Sequence, residues 1–252
     1  MTSLTWRLVD SGLVVPADSA AIDEAVLEAH VAGEVPDTLH FYRRSSPTIS
    51  LGYFQSVDES VCLSECERRG VALVRRKSGG SSIYTDSGQL IYGLVMDEKE
   101  LPSDRTDSFC AVCSALADAL RTFGVDARFR PLNDIEVGGK KISGSAQLRR
   151  KGSVLQHGTV LVDTDLEAMD SVLKVVRSRR EAVVKPSDRV ATLRSLLGKA
   201  PDMEEVKSRV EEKVASKFKV AFEKKGLSSL EKRTVRSLVN EYYGKKEWNL
   251  KF

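Results

Sequence analysis

The chain has 252 residues, of which 41% are hydrophobic and 30% charged, a balance that suits a soluble globular protein of one large domain with an appendage or two modest domains. No apolar run approaches the roughly 20 residues of a membrane span, and MTSLTWRLVD has no apolar signal segment, so a cytoplasmic protein without a membrane partner is expected. The net charge of +3 is uneven: residues 185–252 carry 17 Lys+Arg against 10 Asp+Glu, net +7, and residues 1–184 are net −4.

In chain order, WRLVD reads as a first strand. ADSAAIDEAVLEAH reads as an amphipathic helix capped by Asp18, with Ile22, Ala25, Val26 and Ala29 facing inward. TLHFYRR and TISLGYF read as an antiparallel pair around Ser45, Ser46 and Pro47, and ESVCLSECERRG as a short helix stopped at Gly70. Strand and helix alternate irregularly, which predicts a mixed sheet.

Residues 71–95, VALVRRKSGGSSIYTDSGQLIYGLV, organise the rest. Two apolar runs with the length of buried strands flank residues 77–82, which have no large apolar side chain and cannot be core. Arg75 and Arg76 offer planar donor forks to phosphate or carboxylate, and Gly79 and Gly80 let a ligand approach the backbone. Taken alone, SGGS is also ordinary turn composition.

Cys62, Cys66, Cys110 and Cys113 fall in two pairs that could suggest a metal site. Both pairs lie on helical patterns without the turns that present zinc ligands, and SFCAVCSALADALRTFG puts Cys113 on one stripe with Phe109, Val112, Leu116, Leu120 and Phe123, so packing is the expected role.

In residues 133–163 the turn signals Gly138-Gly139 and Lys151-Gly152 mark out three short runs, a meander around a central strand KKISGSAQLRR. Gly144, Ser145 and Ala146 make that strand smooth, and Lys141 projects to the face of Ser143 while Lys140 points away. Farther on, Ser228-Ser229-Leu230-Glu231 is a capping box, and two helical patterns run through Val206, Val210, Val214 and Phe218 and through Leu230, Thr234, Leu238 and Tyr242. The basic C-terminal part shows no recognition helix, so nucleic acid is not the expected partner; a solvated face or an acidic protein is.

RRKSGG, NDIEVGGKKISGSAQ, QHGTVLVDTDL and EYYGKKEWNL, in that order, resemble the lipoate-protein ligase A family within the biotin and lipoate ligase group. The resemblance implies an α+β fold with mixed and antiparallel sheets flanked by helices, a catalytic domain over residues 1–185 and a small helical segment over 186–252. It implies an ATP-dependent lipoate-protein ligase that forms lipoyl-AMP and passes the lipoyl group to a lysine of an acceptor domain of the 2-oxoacid dehydrogenase E2 or glycine cleavage H protein type, with ATP, Mg2+ and lipoate as ligands.

By position, the resemblance assigns adenylate binding to Arg76, Gly79, Gly80, Ser81, Ser82, Ile83, Tyr84, Asn133 and Lys141. Lys141 is also the catalytic group, since a fixed ammonium stabilises charge built up on acyl and phosphoryl oxygens. His157 and Gly144 fall to the acyl pocket and Asp134 to Mg2+. Residue type leaves Asp134 open as a turn or cap residue and His157 as a core group.

The chain departs from the family pattern GGGAV-aromatic-HD at Ser81, where a third glycine is usual, and at Thr85, where a histidine is usual. Residues 86–90, DSGQL, resemble octanoyltransferases that use octanoyl-acyl carrier protein, although residues 128–132 lack the cysteine of the thiol-dependent type. A non-catalytic lipoate or adenylate binder is the third reading. Because many family members continue past the WN motif into an accessory domain, the resemblance also raises a separate small accessory protein for lipoate activation.

Overall fold

The computed structural model describes residues 4–174 and 184–252; residues 1–3 and 175–183 of the expected catalytic unit lie outside the described residues. Strand β1 (Leu4–Val14) leads into helix α1 (Pro16–Val31). Pro16, whose ring fixes a helical φ, starts the helix in place of the expected cap; Asp18 lies in the first turn, where a negative charge suits the helix dipole. Ile22, Ala25, Val26 and Ala29 are buried. β2 (Thr38–Arg44) then pairs in parallel with β1, the outcome of a crossover through a helix.

The expected antiparallel pairing of β2 with β3 (Thr48–Leu51) does not form, because the two strands belong to different sheets. Pro47 between them has no amide to extend a ladder. After helices α2 (Val57–Ser60) and α3 (Leu63–Arg69), the chain turns at Gly70, whose φ of 65° is left-handed. β3 pairs with β4 (Ala72–Arg75) in parallel and with β5 (Ile83–Thr85) antiparallel, a small sheet of order β4-β3-β5. β6 (Gln89–Asp97) joins the large sheet, so the two apolar runs of residues 71–95 end in different sheets; the polar loop links β4 to β5 within the small sheet, and residues 86–88 cross to the large one.

Helix α4 (Arg105–Arg121) and β7 (Arg128–Arg130) precede the meander, which forms as its turns predict: β8 (Asp134–Val137), β9 (Lys140–Arg150) and β10 (Ser153–Leu161). Helices α5 (Leu166–Val172), α6 (Leu193–Leu197) and α7 (Met203–Phe218) follow. Next come β11 (Val220–Lys224), which the sequence reading missed, α8 (Ser229–Leu238) with a π-helical turn Val239–Tyr243, and α9 (Lys246–Asn249). The large sheet has the order β11-β1-β2-β6-β10-β9-β8-β7. The fold is α+β, with mixed sheets flanked by helices.

One face of the large sheet packs Phe41, Leu90, Tyr92, Leu94 and Met96 against Leu116 of α4 and Val210 and Val214 of α7. Each fully buried aliphatic or aromatic side chain of this kind contributes roughly 1.5–3 kcal/mol. Cys113 belongs to this core and is fully buried; all four cysteines are free, and among the described residues no group of three or more His, Cys, Asp or Glu could hold a metal. The opposite face packs α1 and α8 around Ile22, Val26, Val95, Leu155, Val235 and Leu238. Among the described residues no helix is long and apolar enough to cross a membrane.

Two polar ties fix the C-terminal segment. Ser228 and Glu231 form the expected capping box, and the Glu231 carboxylate also accepts two bonds from Arg7 of β1, at 2.9 and 2.5 Å, with both side chains buried. Asn249 Oδ1 accepts the Arg75 amide and Trp248 Nε1–H donates to the Arg75 carbonyl, each at 2.9 Å, so the WN motif closes the end of β4.

Candidate active site

Strand register on the α1 face of the large sheet aligns two cross-strand rows, His40, Gly93, His157 and Ala146, and Tyr42, Ile91, Thr159 and Gly144. Together with α1, the small sheet and the loop of residues 77–82, they enclose a cavity of about 430 Å³. It gathers Arg76, Gly80, Ser81, Ile83, Asn133, Asp134, Lys141, Gly144 and His157 from residues far apart in sequence.

Lys141 extends along β9 over Gly144, where an added Cβ would collide with its Cε and Nζ. Its ammonium is held 2.7 Å from Asp134 Oδ1. Asp134, expected to bind Mg2+, is paired with this ammonium in the structure. Asn133 donates to the Ser145 carbonyl at 2.5 Å and fixes the start of β8 against β9.

Three residues expected at the adenylate do not line this cavity. In β5, Ile83 and Thr85 face the cavity, and strict alternation turns Tyr84 to the other side, where it is buried in the small-sheet core beside Asp86. Gly79 and Ser82 contribute no lining either; the Gly79 carbonyl accepts Arg76 and the Ser82 hydroxyl reaches Gln55 at 3.5 Å.

The same alternation separates the two arginines. Arg75 is fully buried and donates to the carbonyls of Gly52, Tyr53 and Gln55 at 3.0, 3.1 and 2.7 Å, so it is a structural clamp with no ligand role. Arg76 lines the cavity, but its guanidinium binds the carbonyls of Ser50, Gly79 and Ser81 at 2.7, 2.8 and 2.8 Å. Burial, with Arg44 nearby, pulls it down to about 10.

Residues the sequence reading missed complete the site. Asp23 of α1 projects over Gly93, whose missing side chain makes room for the carboxylate between the two histidines of the row. Its Oδ2 lies 2.7 Å from His157 Nδ1 and 3.0 Å from the Tyr42 hydroxyl, and Oδ1 lies 3.7 Å from His40 Nδ1. Burial pushes the Asp23 carboxyl up, but the hydrogen bonds and charges of His157 and His40 together outweigh it and hold the group well below the ordinary carboxylate range. The other His157 nitrogen, Nε2, is 3.0 Å from Ser78 Oγ. An acid inside the inward stripe of a helix was the one available signal for Asp23.

No cysteine lines the cavity. Cys113 stands behind the sheet, 3.5 Å from Ser145 Oγ, and burial pushes its thiol up to about 11, which makes it a poor nucleophile.

Residues 15–215 match the model of the lipoyl protein ligase A/B catalytic domain. The chain belongs to that family. Among its relatives are the octanoyltransferase LipM of Kyrpidia tusciae, 34% identical and matched over 97% of this chain and 98% of that one, and the LipM of Geobacillus kaustophilus, 31% identical over the whole of both. Similar solved structures include the archaeal bi-partite lipoate protein ligase of Thermoplasma acidophilum, studied with its E2 lipoyl domain (TM-score 0.86, 30% identity, 98% of this chain and 96% of that one). Another is a lipoate-protein ligase A bound with ATP (TM-score 0.87, 29% identity, 98% of this chain and 99% of that one).

These relatives correct the expected activity. Full-length similarity to octanoyltransferases favours acyl transfer without an adenylate over ATP-dependent lipoate ligation.

Proposed function

We propose that this protein transfers an octanoyl group from an acyl carrier thioester to the lysine of a lipoyl-domain acceptor. The observation that carries the reading is the Lys141 ammonium, anchored by Asp134 above the bare backbone of Gly144 in a cavity with apolar walls at Ile83, Ile91 and Ala146. Such a wall takes an alkyl chain, and the fixed cation stabilises the oxyanion that forms when a nucleophile adds to the thioester carbonyl. Over the reaction, the acceptor amine forms the amide bond, the carbon–sulfur bond breaks, and the carrier thiol leaves with the amine's proton.

Asp134 and Asn133 keep Lys141 and β9 in place, Gly144 leaves its path open, and Arg76 with Gly80 and Ser81 forms the opposite rim. A thioester brings its own activation, so ATP and Mg2+ have no step in the reaction, and an accessory protein for activation loses its purpose. In this reading residues 1–185 are the catalytic unit and residues 186–252 a helical segment packed on it. The basic C-terminal face suits an acidic carrier or acceptor, since complementary charge speeds encounter.

Incubation with octanoyl-acyl carrier protein and an E2 lipoyl domain, without nucleotide, tests the proposal by intact mass. Octanoylation of the domain is expected. An unmodified domain there, with modification only when free acid, ATP and Mg2+ are supplied, overturns it.

A further inference from the structure

Asp23, His157 and Ser78 come from helix α1, strand β10 and the glycine-rich loop, and they meet in one directed chain: carboxylate to Nδ1 at 2.7 Å, Nε2 to hydroxyl at 3.0 Å. Nothing in the transfer reaction described above uses Ser78 or Asp23. Neutralising one buried carboxylate requires only one imidazole contact. Here the second ring nitrogen is also engaged, by the hydroxyl of the residue that precedes Gly79 and Gly80. A nucleophile bonded to a base that a third group orients is the arrangement that activates a hydroxyl for acyl transfer.

We propose that Ser78 carries the acyl group as an ester, with His157 as its general base and Asp23 as the positioning residue that holds the imidazole tautomer. This inference rests on the acyl-transfer reading. In the first step Ser78 Oγ attacks the thioester carbonyl and its proton passes to His157 Nε2. The carbon–sulfur bond breaks, and the carrier thiolate takes that proton as it leaves. In the second step the acceptor lysine amine attacks the serine ester and an amide forms. The carbon–oxygen bond to Ser78 breaks, and the amine proton returns through His157 to Ser78 Oγ.

Two features suit this route. His157 lines the cavity while Ser78 is only 5% exposed, so an ester formed there is shielded from water until the acceptor arrives. The four thiols of the chain are absent from the cavity lining, and Cys113 is fully buried behind the sheet, whereas Ser78, itself just behind the lining, is bonded to His157, which forms part of it.

The test is a quenched single turnover of the full chain with octanoyl-acyl carrier protein, first alone and then with an E2 lipoyl domain, read by intact mass and peptide mapping. One octanoyl group is expected on Ser78, moving to the lipoyl domain when that is added. Ser78→Ala should carry no adduct and Ser78→Cys should carry it as a thioester, and Asp23→Asn should form it on the order of 10⁴-fold more slowly. If Ser78→Ala fails to fold, the mapped position on the wild-type chain still decides. A modified lipoyl domain with no adduct on the chain, or with an adduct elsewhere, overturns the acyl-serine and leaves the acyltransferase standing as a direct one. If neither protein is modified, both readings fall.

Discussion

The two walls of the cavity use similar residues in opposite ways. On the β9 wall, Gly144 removes its own side chain so that the Lys141 ammonium can lie across it, and Asp134 holds the cation at 2.7 Å without consuming its remaining donors. On the loop wall, Arg76 spends its guanidinium on the carbonyls of Ser50, Gly79 and Ser81. In one wall a glycine serves a charge; in the other a charge serves the glycines' backbone. A basic residue beside glycine in sequence can therefore be reagent or scaffold, and the hydrogen-bond partners decide which.

The largest effect expected from this contrast is at Lys141. Lys141→Ala should slow transfer to the lipoyl domain by ~10²–10³, the usual loss when a preorganised donor to a developing oxyanion is removed. Stability should change little, because Lys141 and Asp134 have side chains 35% and 24% exposed and pairs of that kind contribute at most about 1 kcal/mol. Single-turnover rates and thermal melts of the same preparations check it; a full-speed variant would make the β9 wall scaffold as well.

Gly144→Ala asks whether the glycine acts through that lysine. Its new Cβ would occupy the place of the Lys141 Cε and Nζ, and a displacement of about 1 Å can cost up to ~10²-fold. The double variant with Lys141→Ala should be no slower than Lys141→Ala alone, a non-additivity that shared action predicts.

Arg75→Met addresses the loop side as scaffold. Three buried carbonyls would lose their donor, a stability loss of about 1–3 kcal/mol in a urea melt. The folded fraction should transfer normally, since Arg75 has no face on the cavity; a selective loss of rate at unchanged midpoint would contradict the clamp.

The sequence makes the β9 strand legible because two glycine turns mark out its eleven residues, but alternation alone would set Lys141 and Gly144 on opposite faces; a register irregularity opposite Ile135 and Glu136 brings both to the cavity. The loop wall defeats the same reading: β4 and β5 have four and three residues, too few for a period, so Arg75 and Tyr84 turn away from the site unannounced. Asp23 is only faintly marked, by its place inside the inward stripe of a helix, since an acid on a helix reads as solvated until Gly93 and two histidines of other strands are known to meet it. β11 is only five residues long, begins directly after the left-handed Lys219 and is ordered by its pairing with β1. The reaction was the least legible part: the motifs resemble those of lipoate ligases, whereas relatives similar over their full length are octanoyltransferases.

Ser81→Gly should have the smallest effect, although it restores the glycine usual in ligases of the family. What Ser81 gives the loop is its carbonyl, which accepts Arg76 at 2.8 Å and is retained in glycine. Its exposed side chain rests on the rim, and replacing it adds freedom chiefly to the unfolded chain. Stability should move by about 0.5 kcal/mol or less, and transfer by no more than about twofold if the same energy is felt in the transition state. Arg76→Met, by contrast, removes the donor that holds all three carbonyls and should loosen the loop measurably in hydrogen exchange. If Ser81→Gly alone changes transfer strongly while the loop stays protected, the serine side chain itself touches the substrate, and the loop wall is then not scaffold alone.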